Sequence, residues 1–89
     1  MQAKRFDYDA IRNELVKLGD AGMFVTLGKI KEIMGKYDRK GGIIWYNQVR
    51  MLLERLDARK DTEVLVDVDA SPRLYLIRSV KLSSNKGAQ

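Results

Sequence analysis

The sequence predicts a small α+β domain of three helices followed by a C-terminal β-hairpin. Apolar residues recur at spacings of three and four in three segments between residues 6 and 56, as they do on one face of a helix. After Lys60 the period changes to two, which is typical of a half-buried strand. The chain has 89 residues, 45% of them hydrophobic, and therefore room for one core. Residues 1–82 are expected to form one domain, and the polar residues 83–89 a disordered tail.

The first helix is predicted within residues 6–20. Asp7 is its expected N-cap, and Phe6 before the cap would pack against Ile11 as a hydrophobic staple. Gly19 stands where a left-handed residue commonly ends a helix. The apolar face of this helix comprises Phe6, Ala10, Ile11, Leu15 and Leu18.

A short extended segment, residues 22–26, precedes the second helix, whose expected N-cap is Thr26. Gly35 is expected to end this helix. Residues 36–42 contain two glycines and four charges, which predicts an exposed loop. The buried side of the second helix is expected to carry Leu27, Ile30, Ile33 and Met34, while Lys29, Lys31 and Glu32 face water.

The third helix is predicted within residues 43–60. Its apolar face includes Trp45, so Trp45 is expected to be a core residue rather than a platform for base stacking. Residues 43–46 are β-prone, so the helix is expected to begin nearer Asn47, which is a good cap residue. The apolar face comprises Trp45, Val49, Leu52, Leu53 and Leu56, and the opposite side carries Asn47, Arg50, Met51 and Glu54.

The hairpin is predicted from alternation in its first strand. Val64, Val66 and Val68 alternate with more polar positions and are expected to face the core. A turn at residues 70–73 contains Pro72, and a return strand follows at residues 74–82. The alternation does not decide which face of the return strand is buried.

The composition excludes several classes of chemistry. The sequence contains no His and no Cys, which excludes His or Cys metal sites, Cys nucleophiles, Ser-His-Asp catalysis and disulfides. The carboxylate pairs Asp7 with Asp9 and Asp67 with Asp69 are better explained by a helix N-terminus and a solvated strand face. No enzymatic activity, cofactor or bound metal is therefore expected.

The charge distribution and hydropathy indicate where the chain acts and what it meets. The net charge is +5, and residues 23–60 supply it with nine Lys and Arg against four Asp and Glu. Such a basic centre suits a surface that binds a polyanion, and it also suits simple solubility. No apolar run approaches the ~18 residues that span a bilayer, and the start of the chain lacks a signal peptide's apolar stretch. We expect an intracellular protein, cytoplasmic or nucleoid-associated and not secreted, without a membrane partner.

The order of elements resembles that of the winged-helix superfamily of DNA-binding domains over about residues 6–82. In that superfamily the third helix enters the major groove, and the hairpin, or wing, meets the neighbouring backbone or minor groove. The resemblance implies that Asn47 and Arg50 read bases, with Tyr46 beside them, because Asn pairs with adenine and Arg with guanine. It also implies phosphate contacts from the second helix, the loop and the wing tip, made by Lys29, Lys31, Lys36, Arg39, Lys40 and Arg73.

The resemblance implies a sequence-specific protein that binds double-stranded DNA and acts as a small transcriptional regulator. Many proteins of this shape act as dimers on two half-sites, so a homodimer is possible, but the sequence does not decide between a monomer and a dimer. A second hypothesis is a winged-helix protein-interaction module, in which Tyr46, Met51 and Glu54 dock a protein partner. A third is a protein that binds RNA or single strands through Tyr37, Tyr46 and the basic loop. Phosphate binding must weaken steeply with salt, which separates the first hypothesis from the second.

Overall fold

The computed structural model describes residues 4–80 and contains three helices followed by a two-stranded antiparallel sheet. This is the predicted α+β class, with the layout of a three-helix winged helix and a C-terminal hairpin. No helix within these residues is long and apolar enough to cross a membrane. The elements are α1 (Tyr8–Asp20), α2 (Leu27–Lys36), α3 (Tyr46–Asp57), β1 (Thr62–Asp67) and β2 (Leu74–Ser79).

The predicted start of α1 is confirmed, whereas the role predicted for Gly19 is wrong. The Asp7 carboxylate accepts the backbone N–H of Ala10 at 3.1 Å, which satisfies a free donor of the first turn. Gly19 lies inside α1 and faces the backbone of Ile77 in β2, where an added Cβ would overlap the carbonyl. The left-handed residue after the helix is Gly22, whose φ is +83°. Gly19 therefore allows close packing of α1 on β2 and does not terminate the helix.

The start of α2 is also as predicted. The Thr26 hydroxyl accepts the backbone N–H of Lys29 at 3.1 Å and caps the helix. The prediction that Gly35 ends α2 is wrong by one residue, because the helix includes Lys36 and Tyr37 is its C-cap. The N–H of Tyr37 still reaches the carbonyl of Met34, so the last turn closes on itself.

Two predictions about the start of α3 are wrong. Trp45, not Asn47, is the N-cap, and Asn47 is already helical. Trp45 is 63% exposed and is not a core residue. The reason is its extended backbone, with φ −86° and ψ 153°, which removes its side chain from the periodicity of the helix that follows.

Strand β2 forms backbone hydrogen bonds on both of its edges. It pairs with β1 in a register that sets Val64 opposite Ile77 and Val66 opposite Tyr75. On its other side, the N–H and carbonyl of Val25 both bond to Tyr75, each at 2.8 Å. The segment before α2 is thereby fixed to the hairpin. Tyr75, Leu76 and Ile77 are all buried, but only Tyr75 and Ile77 belong to the core cluster, so their face of the return strand meets the core.

The predicted burial of the first strand is only partly correct. Thr62 is buried and Val64 is half-buried, whereas Val66 and Val68 are exposed. Burial decreases along β1 because the core covers only the base of the hairpin, which projects beyond it. The predicted return strand is observed as Leu74–Ser79, and its last predicted residues, together with the tail at 83–89, lie outside the described residues.

The core lies between the three helices and the inner face of the sheet. It unites residues from every helix with β2, as the apolar spacings require. Its buried members are Phe6, Ile11, Leu15, Val16, Val25, Ile30, Ile33, Met34, Ile44, Val49, Leu52, Leu53, Leu56, Tyr75 and Ile77.

An ion-pair network at the end of α3 ties the turn before β1 to α1. The Arg59 guanidinium bonds to Asp61 at 3.0 Å and to Asp9 at 2.9 Å. Arg12 donates to the Thr62 hydroxyl at 3.0 Å and to the carbonyl of Asp61 at 2.7 Å. Hydrogen bonds from Arg59 and Thr62 hold the pKa of Asp61 well below its usual range. These charges join elements of the fold and are not available to a ligand without breaking those contacts.

Candidate nucleic-acid interface

The beginnings of α2 and α3 and the turn of the hairpin surround an open cleft of about 480 Å³. Two features described above fix this arrangement. The bonds between Val25 and Tyr75 hold the start of α2 against β2, and Thr26 begins the helix immediately afterwards. The residues that line the cleft are Thr26, Leu27, Gly28, Tyr46, Arg50, Pro72 and Arg73.

Three of the residues implied to bind DNA meet in this cleft. Tyr46 and Arg50 come from α3, and Arg73 comes from the hairpin turn. All three are exposed. Among residues 4–80, neither arginine has a carboxylate within 4 Å. Two full positive charges therefore face the same opening.

Lys31 extends this positive region along α2. Its ammonium lies 5.0 Å from the centroid of the Tyr46 ring, within the range of a cation–π interaction. It also lines a second open cleft of about 430 Å³, between α2 and the residues before α3, in which Glu32 is the one carboxylate. We call Lys31, Tyr46, Arg50 and Arg73 the basic surface. Lys31 was expected to face water, but the residue is half-buried.

Two other predicted phosphate contacts are paired with carboxylates. Lys36 lies 2.8 Å from Glu14 on α1, and the Tyr37 hydroxyl donates to the same carboxylate at 2.7 Å. These hydrogen bonds lower the pKa of Glu14, with the larger effect from Lys36. Lys29 lies 2.9 Å from Glu32, one turn along α2. Neither lysine lines the cleft that holds the two arginines.

The two basic residues of the loop after α2 differ in whether a carboxylate lies close to them. Arg39 lies 3.6 Å from Asp7 and donates to the carbonyl of Lys4 at 2.8 Å, so it faces the N-terminal segment. Lys40 is exposed, and no carboxylate of residues 4–80 lies within ion-pair distance of its ammonium. Its backbone N–H donates to Asp38 at 3.0 Å.

The loop at residues 36–42 is largely exposed, as its composition predicts, but Tyr37 and Asp38 are half-buried and Arg5 clamps the loop. The Arg5 guanidinium bonds to both oxygens of Asp38, at 2.9 and 2.8 Å, and reaches the carbonyls of Gly41 and Ile43. The Asp38 side chain is only 3% exposed. The hydrogen bond from Arg5 lowers the pKa of Asp38 to about 2. The clamp fixes the path of the chain into α3.

The outward side of α3 is as the periodicity predicts. Asn47, Arg50, Met51 and Glu54 are all exposed on it. Asn47 and Arg50 lie in the first half of the helix, but only Arg50 lines the cleft, and the carboxylate of Glu54 lies a turn further on. The side therefore carries donors near the hairpin and an acidic group away from it.

Trp45 is the main exposed residue near the cleft that the helical periodicity wrongly assigned to the core. The relevant signal was the β-prone run before Asn47, because a residue in extended conformation does not follow the helical face. The hairpin carries two further exposed carboxylates, Asp67 and Asp69, with the N–H of Asp69 donating to Asp67 at 3.1 Å. These would repel phosphate close to the turn.

Comparison with known proteins gives no relative: no family model, no curated protein and no solved structure matches this chain.

Proposed function

We propose that this chain is a winged-helix protein that binds double-stranded DNA sequence-specifically and acts as a small transcriptional regulator, not as an enzyme. The basic surface carries the proposal. Arg50 and Arg73 converge on one cleft without a carboxylate partner among residues 4–80, so their charge is available to neutralise phosphates. Placing α3 in the major groove would bring the hairpin turn against the adjacent backbone.

The donors of α3 suit base recognition. Arg50 can donate two hydrogen bonds to guanine, and Asn47 can pair with adenine, each such contact discriminating by about 1–3 kcal/mol. Both side chains are exposed in the first half of the helix. Arg73 at the turn and Lys31 on α2 would then contact phosphates and fix the position of the helix without reading sequence.

The ion pairs indicate which of the other predicted phosphate contacts are weakened by a carboxylate partner. Lys29, Lys36 and Arg39 each lie within 4 Å of a carboxylate, and a phosphate would have to compete with that partner. We therefore assign the main contacts to Lys31, Arg50 and Arg73, and smaller contributions to the paired cations. Lys40, which has no such partner, is a further phosphate contact if the loop meets the backbone.

The test is fluorescence anisotropy of a labelled duplex at about 50 and 200 mM salt. We expect Arg73→Ala to weaken binding and to reduce the salt dependence by about one ion, and Arg50→Ala, which removes the proposed base contact, to weaken binding with a smaller change in the salt dependence. Lys36→Ala is the matched control, because it removes the same charge from a paired position. Equal losses in all three variants would show that only net charge matters, and no binding at low salt would refute the proposal.

A groove between α3 and the N-terminal segment supports a second candidate function, the docking of a protein partner. The groove has a volume of about 460 Å³, and Met51 at its edge is 63% exposed. Exposed methionine is common at adaptable protein interfaces. It is lined by Phe6, Tyr8, Met34, Gln48, Met51, Leu52, Glu54 and Arg55. A partner held there would bind with little salt dependence and would be released by Met51→Ala but not by Arg73→Ala.

A further inference from the structure

The residues that lead into α3 hold large apolar side chains in solvent beside the basic surface. Ile43 is 65% exposed, Trp45 63% and Tyr46 49%, whereas Ile44 between them is buried in the core. Exposed apolar side chains scattered singly are ordinary, but three within four residues of the chain are a local concentration, and we call Ile43, Trp45 and Tyr46 the patch. The patch is a feature of the surface that double-strand recognition by Asn47 and Arg50 does not use.

The backbone beneath the Trp45 ring is fixed. Its N–H donates to the Gln48 side chain at 2.7 Å, and its carbonyl accepts from the N–H groups of Gln48 and Val49. Two residues earlier, the Arg5 clamp holds the carbonyl of Ile43 at 3.1 Å. The indole is therefore carried on an ordered helix start, which lowers the entropy cost of stacking against a ligand.

The charges around the patch favour a nucleic acid as its occupant. Lys31 lies against the Tyr46 ring and lines the same cleft as Ile43, and Arg50 lies one turn along α3. An open aromatic face beside unpaired cations is the arrangement by which proteins hold a base and its phosphates together. Inside a duplex, however, both faces of each base are stacked, so a protein ring can stack only on a terminal, extruded or single-stranded base.

We propose that Trp45 stacks on an unpaired nucleobase, so that the preferred ligand of the basic surface is a DNA duplex with a single-stranded extension. This rests on the proposed DNA binding and narrows it to a class of DNA structure. The duplex would contact Arg50 and Arg73, and the first unpaired base beyond it would lie on the indole. Trp45 is the single tryptophan of the chain, so its fluorescence reports this contact directly.

The experiment compares three DNAs with the same duplex: a blunt end, a short single-stranded extension, and an extension of equal length whose residues are abasic. The abasic extension keeps the phosphates but cannot stack. We expect the natural extension to quench Trp45 fluorescence and to bind roughly tenfold more tightly than the abasic one. Trp45→Ala should abolish that preference, and Trp45→Phe should retain part of it. Ile43→Ala is the matched control, because it removes an equally exposed side chain without a ring.

The outcomes separate this inference from the function on which it rests. Equal affinity of the wild type for all three DNAs, with salt-dependent duplex binding, would overturn the stacking role and leave DNA binding intact. Failure to bind any of them would overturn both. Concentration-dependent dimerisation that Trp45→Ala abolishes, without a preference for the extension, would identify the patch as an interface between copies and overturn the proposal. Thermal unfolding of each variant checks that it is folded.

Discussion

Replacing Gly19 with Ala tests the close packing of α1 on β2. A Cβ built at this position would overlap the carbonyl oxygen of Ile77 and would lie 2.5 Å from the carbonyl carbon. Carbon atoms in contact are ordinarily about 3.5–4.0 Å apart. The obstacle is the backbone of β2 and not a side chain that can rotate away, so α1 and β2 must separate by at least about 1 Å.

The separation should cost more than the helix gains. Ala is favoured over Gly in a helix by up to about 1 kcal/mol, whereas forcing extra volume into a packed core costs about 1–3 kcal/mol or more. The upper end applies here, because α1 contributes the buried residues Ile11, Leu15 and Val16 to the same contact. We expect a net loss of roughly 2 kcal/mol in the free energy of unfolding, and a fall of roughly 8–16 °C in Tm.

Urea and thermal unfolding followed by circular dichroism would measure this loss. Gly35→Ala is the matched control, since it is also a glycine in a helix but its Cβ would meet only Ile44 Cδ1, at 4.0 Å. It should stabilise the protein by about 0.5–1 kcal/mol. If Gly19→Ala were as stable as the control, α1 would not pack on β2 in the way described, and the reasoning would be refuted.

Three further predictions concern the clamp, a helix cap and the core. The pKa of Asp38 is lowered to about 2, so the stability that its ionised form contributes is fully present above pH ~4 and is lost as the pH falls from about 4 to about 2. Asp38→Asn should lower Tm near neutral pH, and the difference in Tm from the wild type should shrink in scans towards pH ~2. A constant difference across that range would contradict the ion pair. Thr26→Ala removes the bond to the N–H of Lys29 and should cost about 1 kcal/mol in urea unfolding, whereas Thr26→Asp should not. Leu56→Ala should cost about 2–5 kcal/mol because Leu56 is fully buried, and the exposed Met51→Ala should change the free energy of unfolding by less than about 0.5 kcal/mol.

Features that depend on neighbouring residues could be predicted from the sequence. Asp7 and Thr26 cap their helices through bonds that reach only three residues along the chain, so local chemistry defines them. The outward side of α3 follows from the 3.6-residue period in the same way. The prediction that Trp45 is buried was wrong because that period was extended one residue beyond the start of the helix. The prediction that Val66 is buried was wrong because alternation tells which side chains share a face but not how far the helices cover a strand.

The candidate site could be predicted only in its residue types. Arg50 and Arg73 are far apart in sequence, and only the pairing of β2 with residue 25 brings the hairpin turn to the start of α2. The neutralisation of Lys36 by Glu14 joins residues 22 positions apart, which no local pattern reveals. Sequence reasoning therefore found the basic composition of this region but could not sort free cations from paired ones.

Because β2 is bonded to β1 on one edge and to Val25 on the other, it also determines when the fold can be completed during synthesis. The last strand supplies the partner of Val25, the backbone against which Gly19 packs and the fully buried Ile77. A nascent chain that ends before residue 74 therefore has its three helices and β1 but lacks the strand that pairs with β1 and Val25. Such a chain can form local helices on the ribosome, but its cooperative folding waits for the release of the hairpin.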